Sequence, residues 1–133
     1  MKLNEITHGI IGCAIAVHRQ LGPGLLESAY EECMALELSA RGWHFDRQRP
    51  VPLQYRGTLV DCSYRLDLIV EEQVIIELKA VAALDPIFTA QLLTYLKLTG
   101  CPIGLLINFN VELLKDGVQR IINCPSASSV ALS

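Results

Sequence analysis

No apolar run in this chain is long and unbroken enough to span a bilayer, so no membrane partner is expected. There is no C-x-x-C pair, and the five cysteines (Cys13, Cys33, Cys62, Cys101 and Cys124) are odd in number. That argues against a disulfide framework and a zinc cage and for a reducing cytoplasm. Positive charge is also scarce. Against 14 Asp and Glu stand 11 Lys and Arg, a formal net charge of −3. Proteins that coat nucleic acid through many phosphate contacts are usually basic, so any nucleic-acid contact here has to be local and metal-assisted. No G-x-x-x-x-G-K-[ST], G-x-G-x-x-G or nucleophile elbow occurs, and Gly22-Pro23-Gly24 reads as a turn and not as a phosphate loop. Internal repeats and linkers are absent as well.

What remains is a chain of 133 residues, 51% hydrophobic and 19% charged, which suits one globular domain with a real core. The expected domain is 1–123, with 124–133 (CPSASSVALS) a flexible tail without periodicity. The N-terminus superficially resembles a signal peptide. Glu5, His8, His18 and Arg19 interrupt it at helical spacing, so it reads as an amphipathic helix over Leu3–Gln20, with Ile6, Ile10, Cys13, Ala14, Val17 and Leu21 inward. A second helix is expected over Leu25–Arg41, its apolar stripe being Leu26, Ala29, Tyr30, Cys33 and Leu36. The period then changes. Phe45–Tyr55 reads as an edge strand, Arg56-Gly57 as a hairpin turn, and Leu59–Val70 and Val74–Val81 as strands, the latter central. Pro86 opens a helix to Thr99, Ile103–Asn108 is a buried strand, and Val118–Asn123 adds a short one. The expected fold class is α/β (α+β), a mixed sheet flanked by helices.

The chemistry sits in the central strand, VIIELKAV, which carries Glu77 and Lys79 in an otherwise apolar run. Buried strands rarely hold charges. If Glu71-Glu72-Gln73 joins the two strands, Val70 faces Val74, Asp67 faces Glu77 and Arg65 faces Lys79. Directly opposed side chains have Cβ atoms roughly 5 Å apart, and two carboxylates that close need a cation or a shared proton between them. Hard oxygens suit Mg²⁺ or Mn²⁺, and a lysine beside them can orient water or stabilise charge at phosphorus. Spacing alone leaves an equal alternative: Asp67–Lys79 and Glu77–Arg65 ion pairs within the sheet.

Asp67…Glu77-Leu78-Lys79 resembles the active-site motif of the PD-(D/E)xK nuclease superfamily. Gly24-Leu25-Leu26-Glu27-Ser28-Ala29-Tyr30 resembles the name-giving motif of one of its families, the GxxExxY proteins. YRLDLIV, VIIELKAV, AQLLTYLKLTG and IGLLINF follow in that family's order, over about residues 4 to 123. The resemblance implies a restriction-endonuclease-like αβββαβ core with an extra N-terminal helix. It implies metal ligands at Asp67 and Glu77 with the Leu78 carbonyl as a third, a catalytic Lys79, an added acid at Glu27, and Gln91 and Tyr95 as a Q-x-x-x-Y pair. Tyr30 and Tyr95 themselves read as core tyrosines with satisfied hydroxyls. One departure stands out: Phe88 occupies a position near which the family carries histidine. The expected activity is Mg²⁺- or Mn²⁺-dependent cleavage of nucleic acid, DNA ahead of RNA. The competing reading is an inactive nuclease-like fold that binds nucleic acid or protein, with homodimerisation open in either case.

Overall fold

A computed structural model of the chain describes residues 2–61 and 64–124. Cys62 and residues 125–133 of the expected tail lie outside the described residues. Helix α1 (Leu3–Leu21) and helix α2 (Glu27–Ala40) precede strands β1 (Phe45–Pro50), β2 (Leu53–Tyr55), β3 (Thr58–Val60), β4 (Arg65–Val70) and β5 (Val74–Lys79). Helix α3 (Pro86–Thr99), β6 (Ile103–Asn108), a 3-10 turn (Leu114–Gly117) and β7 (Val118–Ile122) follow.

Five strands form one sheet in the order β1-β4-β5-β6-β7, with β5 at its centre as its apolar sequence requires. Only β5 and β6 run parallel, because α3 carries the chain back between them. The order α2-β1-β4-β5-α3-β6 is the expected αβββαβ core, with α1 added in front, β7 behind and β2–β3 inserted as a separate hairpin. That hairpin splits two runs that the sequence reads as single strands. Pro52 interrupts the first, since it has no N–H for a ladder. Its turn is as expected: Arg56 and Gly57 have φ of 52° and 78°, a primed turn that matches strand twist.

Each sheet face has its own core. Val70, Val74, Ile76, Leu78, Leu105 and Ile107 pack under α1 and α2. Ile69, Ile75 and Leu106 pack under α3 against Leu92, Tyr95 and Leu96. α1 turns its expected stripe inward, Leu21 excepted. The α2 stripe agrees with expectation at Tyr30 and departs from it at both ends. Tyr30, Met34 and Leu38, four residues apart, are fully buried, whereas Leu26 is 77% and Leu36 70% exposed. The helix rests on the sheet along the 30/34/38 line, which leaves Leu26 and Leu36 facing water.

Candidate active site

The link at Glu71–Gln73 sets the register between β4 and β5. Val70 pairs with Val74, Ile69 with Ile75 and Leu68 with Ile76, and the ladder ends there. Asp67 and Glu77 come next and take over the hydrogen bonding with their side chains. The Asp67 N–H donates to Glu77 Oε2 at 2.9 Å, and the Leu78 N–H donates to Asp67 Oδ2 at 2.9 Å. Each carboxylate thus caps the backbone of the opposite strand, and the strands fork. The expected pairing of Arg65 with Lys79 does not form for this reason. Arg65 instead donates through Nη1 to the Gln48 carbonyl at 3.1 Å.

The other edge of β4 is irregular at the same place. Pairing with β1 passes from Arg47–Leu68 to Arg49–Leu66 and skips Gln48, whose φ is 50°. Leu66 and Leu68 consequently pack into different cores, which strict alternation does not allow. The Gln48 side chain bridges two acids: Nε2 donates to Glu31 Oε1 at 2.6 Å and to Asp67 Oδ1 at 3.4 Å. Arg47 holds the other Glu31 oxygen at 2.9 Å. Sequence reasoning missed Gln48 and Glu31. The only trace of Glu31 in the sequence is its place one turn after Glu27 on α2.

Glu77 is 7% exposed. Burial pushes its carboxyl up to about 8, and the charges of Asp67 and Glu27 add to the rise. The Asp67 N–H and the Lys79 ammonium pull it back in part. Asp67 is also raised, first by burial and then by Glu31, against the Leu78 N–H, Gln48 and Lys79. The alternative of two ion pairs in the sheet is not realised. Among the described residues the arginine bridges go to Glu37, Glu31, Glu32, Asp46 and Glu72, and none involves Asp67 or Glu77.

Two desolvated carboxylates that share no ion pair with an arginine or lysine among the described residues suit a hard divalent ion, so the donors present fit Mg²⁺ or Mn²⁺. Among the described residues, no three His, Cys, Asp or Glu side chains cluster closely enough to hold a metal. A cation here would have two carboxylates and fill its other positions with water or substrate oxygen, as Mg²⁺ commonly does. The peptide geometry offers one more oxygen. The Lys79 carbonyl accepts the Phe109 N–H beyond β6 at 2.9 Å. Successive strand residues direct their peptide groups to opposite edges, so the Leu78 carbonyl faces the forked β4 side, as the Leu78 N–H does.

A family profile matches residues 4–121, and its description is PD-(D/E)XK nuclease superfamily. The chain belongs to the PD-(D/E)XK nuclease superfamily. No curated protein and no solved structure matches it.

Within this nuclease-superfamily domain, the remaining expected residues surround the fork unequally. Lys79 lies with its Nζ 4.2 Å from the centre of the Phe88 ring. The aromatic residue at the departing position therefore forms the seat of the lysine. Glu27 is the exposed first residue of α2 and shares a shallow depression with Leu25 and Ala80, next to Lys79. Gln91 and Tyr95 face a groove beside Phe88, and Gln91 makes no hydrogen bond to Asp67, Glu77 or Lys79 among the described residues. Asn108, also missed, pins the chain beyond Lys79: Nδ2 donates to the Val81 carbonyl at 2.9 Å and Oδ1 accepts the Val81 N–H at 3.1 Å.

Tyr30 has the structural role expected of it. Its ring stacks on Phe109 with centroids 4.4 Å apart. Its hydroxyl donates to the Gly22 carbonyl at 2.6 Å and accepts the Leu25 N–H at 3.2 Å. It ties down the turn in which Gly24 adopts a φ of 101°, and so fixes the start of α2 and the position of Glu27. Tyr30→Phe removes only this tie. The expected loss is about 1–3 kcal/mol of stability, read from chemical denaturation. An unchanged midpoint would show that water replaces the hydroxyl without cost.

Proposed function

We propose that this chain is a metal-dependent nuclease that hydrolyses phosphodiester bonds in nucleic acid, DNA ahead of RNA. The observation that supports this best is the fork itself: buried Asp67 and Glu77, mutually capped, with Lys79 on the same strand. Asp67, Glu77 and the Leu78 carbonyl would hold Mg²⁺ or Mn²⁺. When bound, such an ion lowers the pKa of water and neutralises charge on the phosphodiester.

The chain's own groups supply the rest. Asp67 and Glu77 would hold a cation as carboxylates, so the Glu77 proton favoured by burial would have to be released first. The mutual capping holds both carboxylates in place, which limits the reorganisation needed at the moment of reaction. Lys79, held over Phe88, directs its ammonium at the phosphoryl oxygens or the attacking water. Glu27, at the rim, tunes the charge felt by Glu77. Gln91 meets the substrate from the groove on α3, and Tyr95 on the same helix face supports it. We place the protein in the cytoplasm, in keeping with the free thiols of Cys13, Cys33, Cys101 and Cys124. Among the described residues, no helix is long and apolar enough to cross a membrane.

The alternative is a silent nuclease fold that binds nucleic acid or protein. It draws on the net charge of −3 and on the exposed Leu26 and Leu36. The deciding experiment incubates the full chain with Mn²⁺ or Mg²⁺ and a panel of single- and double-stranded DNA and RNA, with a chelator control. Metal-dependent cleavage is the expected result. Intact substrates throughout, with folded protein, would favour the binding module.

A further inference from the structure

Beside the fork lies an open groove of about 570 Å³ between β2, the start of β4 and α3. Leu53, Tyr64, Phe88 and Tyr95 form its walls, while Gln91 and Thr94 supply polar groups. Its volume lies within the ordinary range of small-ligand sites. Tyr64 is 46% and Ile87, at the rim, 63% exposed, so the fold leaves a tyrosine ring and an aliphatic side chain turned to solvent here. The Tyr64 and Tyr95 rings sit 6.3 Å apart and tilted by 56°. The groove also joins the fork physically, because its Phe88 wall is the ring beneath the Lys79 ammonium.

We propose that this groove takes an unpaired nucleobase of the strand being cut, stacked on Tyr64, and that the protein therefore selects single-stranded or locally opened nucleic acid. The proposal rests on the nuclease reading for what happens at Lys79, but the groove's chemistry stands on its own residues. Every base has a π-face, so aromatic rings bind bases with little regard to sequence. The Gln91 amide provides a donor and an acceptor for a base edge, and the Thr94 hydroxyl, which donates to the Ala90 carbonyl at 3.0 Å, can still accept. The connection through Phe88 puts the groove next to the lysine, so a base seated there brings its own backbone to the fork. A paired base is withheld from such a groove by its stack and must be extruded first. This also fits the shortage of positive charge: stacking supplies affinity that phosphate contacts do not.

The test measures binding apart from cutting, in full-length Glu77→Gln protein with Mg²⁺. Fluorescence anisotropy compares a labelled single strand, a blunt duplex of the same sequence and an abasic strand of the same length. The single strand is expected to bind about tenfold or more tighter than either. Adding Tyr64→Ala should remove most of that preference, and Tyr64→Phe should keep it. Ile87→Ser, at an exposed position that does not threaten the fold, should weaken single-strand binding several-fold. A duplex bound as well as the single strand, no binding to any strand, or indifference to both Tyr64→Ala and Ile87→Ser overturns the proposal. So does a dimer in light scattering that Ile87→Ser dissociates without any strand preference, since a second copy would then cover the groove. Cleavage assays separate the two readings. If otherwise wild-type protein cuts duplex and Tyr64→Ala leaves that rate alone, the groove assignment fails and the nuclease reading survives. If Tyr64-dependent strand binding occurs without any cleavage, the groove stands and the nuclease reading fails.

Discussion

Glu77→Ala and Lys79→Ala are each expected to lower the cleavage rate by at least about a hundredfold, by routes that metal titration separates. Glu77 supplies one of two carboxylates at the fork and also caps the Asp67 N–H. Under the proposed roles its removal would take a donor from the cation and free the residue that carries the other donor. The rate should then saturate only at higher Mn²⁺, and at a lower plateau. Lys79 is a different case. It contacts the Phe88 ring, and among the described residues no ion pair joins it to Asp67 or Glu77, so the carboxylates keep their hydrogen bonds without it. Lys79→Ala should saturate at nearly the wild-type Mn²⁺ concentration, with only the plateau reduced. Lys79→Arg keeps the charge and stacks on Phe88, but spreads the charge over a planar fork, so partial activity is expected. Single-turnover kinetics across a Mn²⁺ series provides both quantities. Plateaus within a few-fold of wild type for both alanine variants would rule out the proposed roles.

The fork shows how far residues alone lead. The register was legible because three polar residues separate two apolar strands, and the count from Val70–Val74 runs directly to Asp67 and Glu77. The same count places Arg65 opposite Lys79, and there it fails. Counting assumes that backbone pairs with backbone, whereas here two carboxylates take the amides that would continue the ladder. Gln48 was illegible for a related reason. Its contact with Asp67 depends on a left-handed φ in the middle of an edge strand, which no local pattern announces. The ends of α3 were legible because Pro86 opens the helix and Gly100 closes it; the Asp85 cap on the Ile87 N–H became visible only in the structure. The buried face of α2 was legible only at Tyr30. The expected stripe of Leu26, Ala29, Tyr30, Cys33 and Leu36 crosses the buried line Tyr30, Met34 and Leu38 there, and only packing against the sheet decides which way it runs. Phe88 stood out in the sequence merely as a departure; its contact with Lys79 needed α3 to be laid over β5.

Glu77→Gln should make the metal-free protein more stable at alkaline pH while it removes cleavage. Burial and the neighbouring Asp67 raise the Glu77 carboxyl from 4.5 to about 8 in the folded state. The folded chain therefore holds a proton that the unfolded chain has lost at any pH between those values. The stability linked to this proton is complete below about 4.5 and disappears as pH rises through about 8. A tenfold change in proton affinity corresponds to about 1.4 kcal/mol, so the loss across this window should be on the order of 5 kcal/mol at most. The glutamine has no such proton to lose, and its amide oxygen still accepts the Asp67 N–H. Asp67 is raised too, so a shallower slope should remain in the variant. Urea denaturation at pH 5, 7 and 9 with chelator present measures both profiles. They should nearly coincide at pH 5 and separate in favour of Glu77→Gln by pH 9. Mg²⁺ should recover stability in the wild type at pH 9 and less in the variant, because a divalent ion neutralises the same pair of oxyanions that the proton does at lower pH. Parallel profiles would mean that water or rearrangement at the fork keeps Glu77 solvated. The fork would then lack the unmet negative charge that would attract a cation.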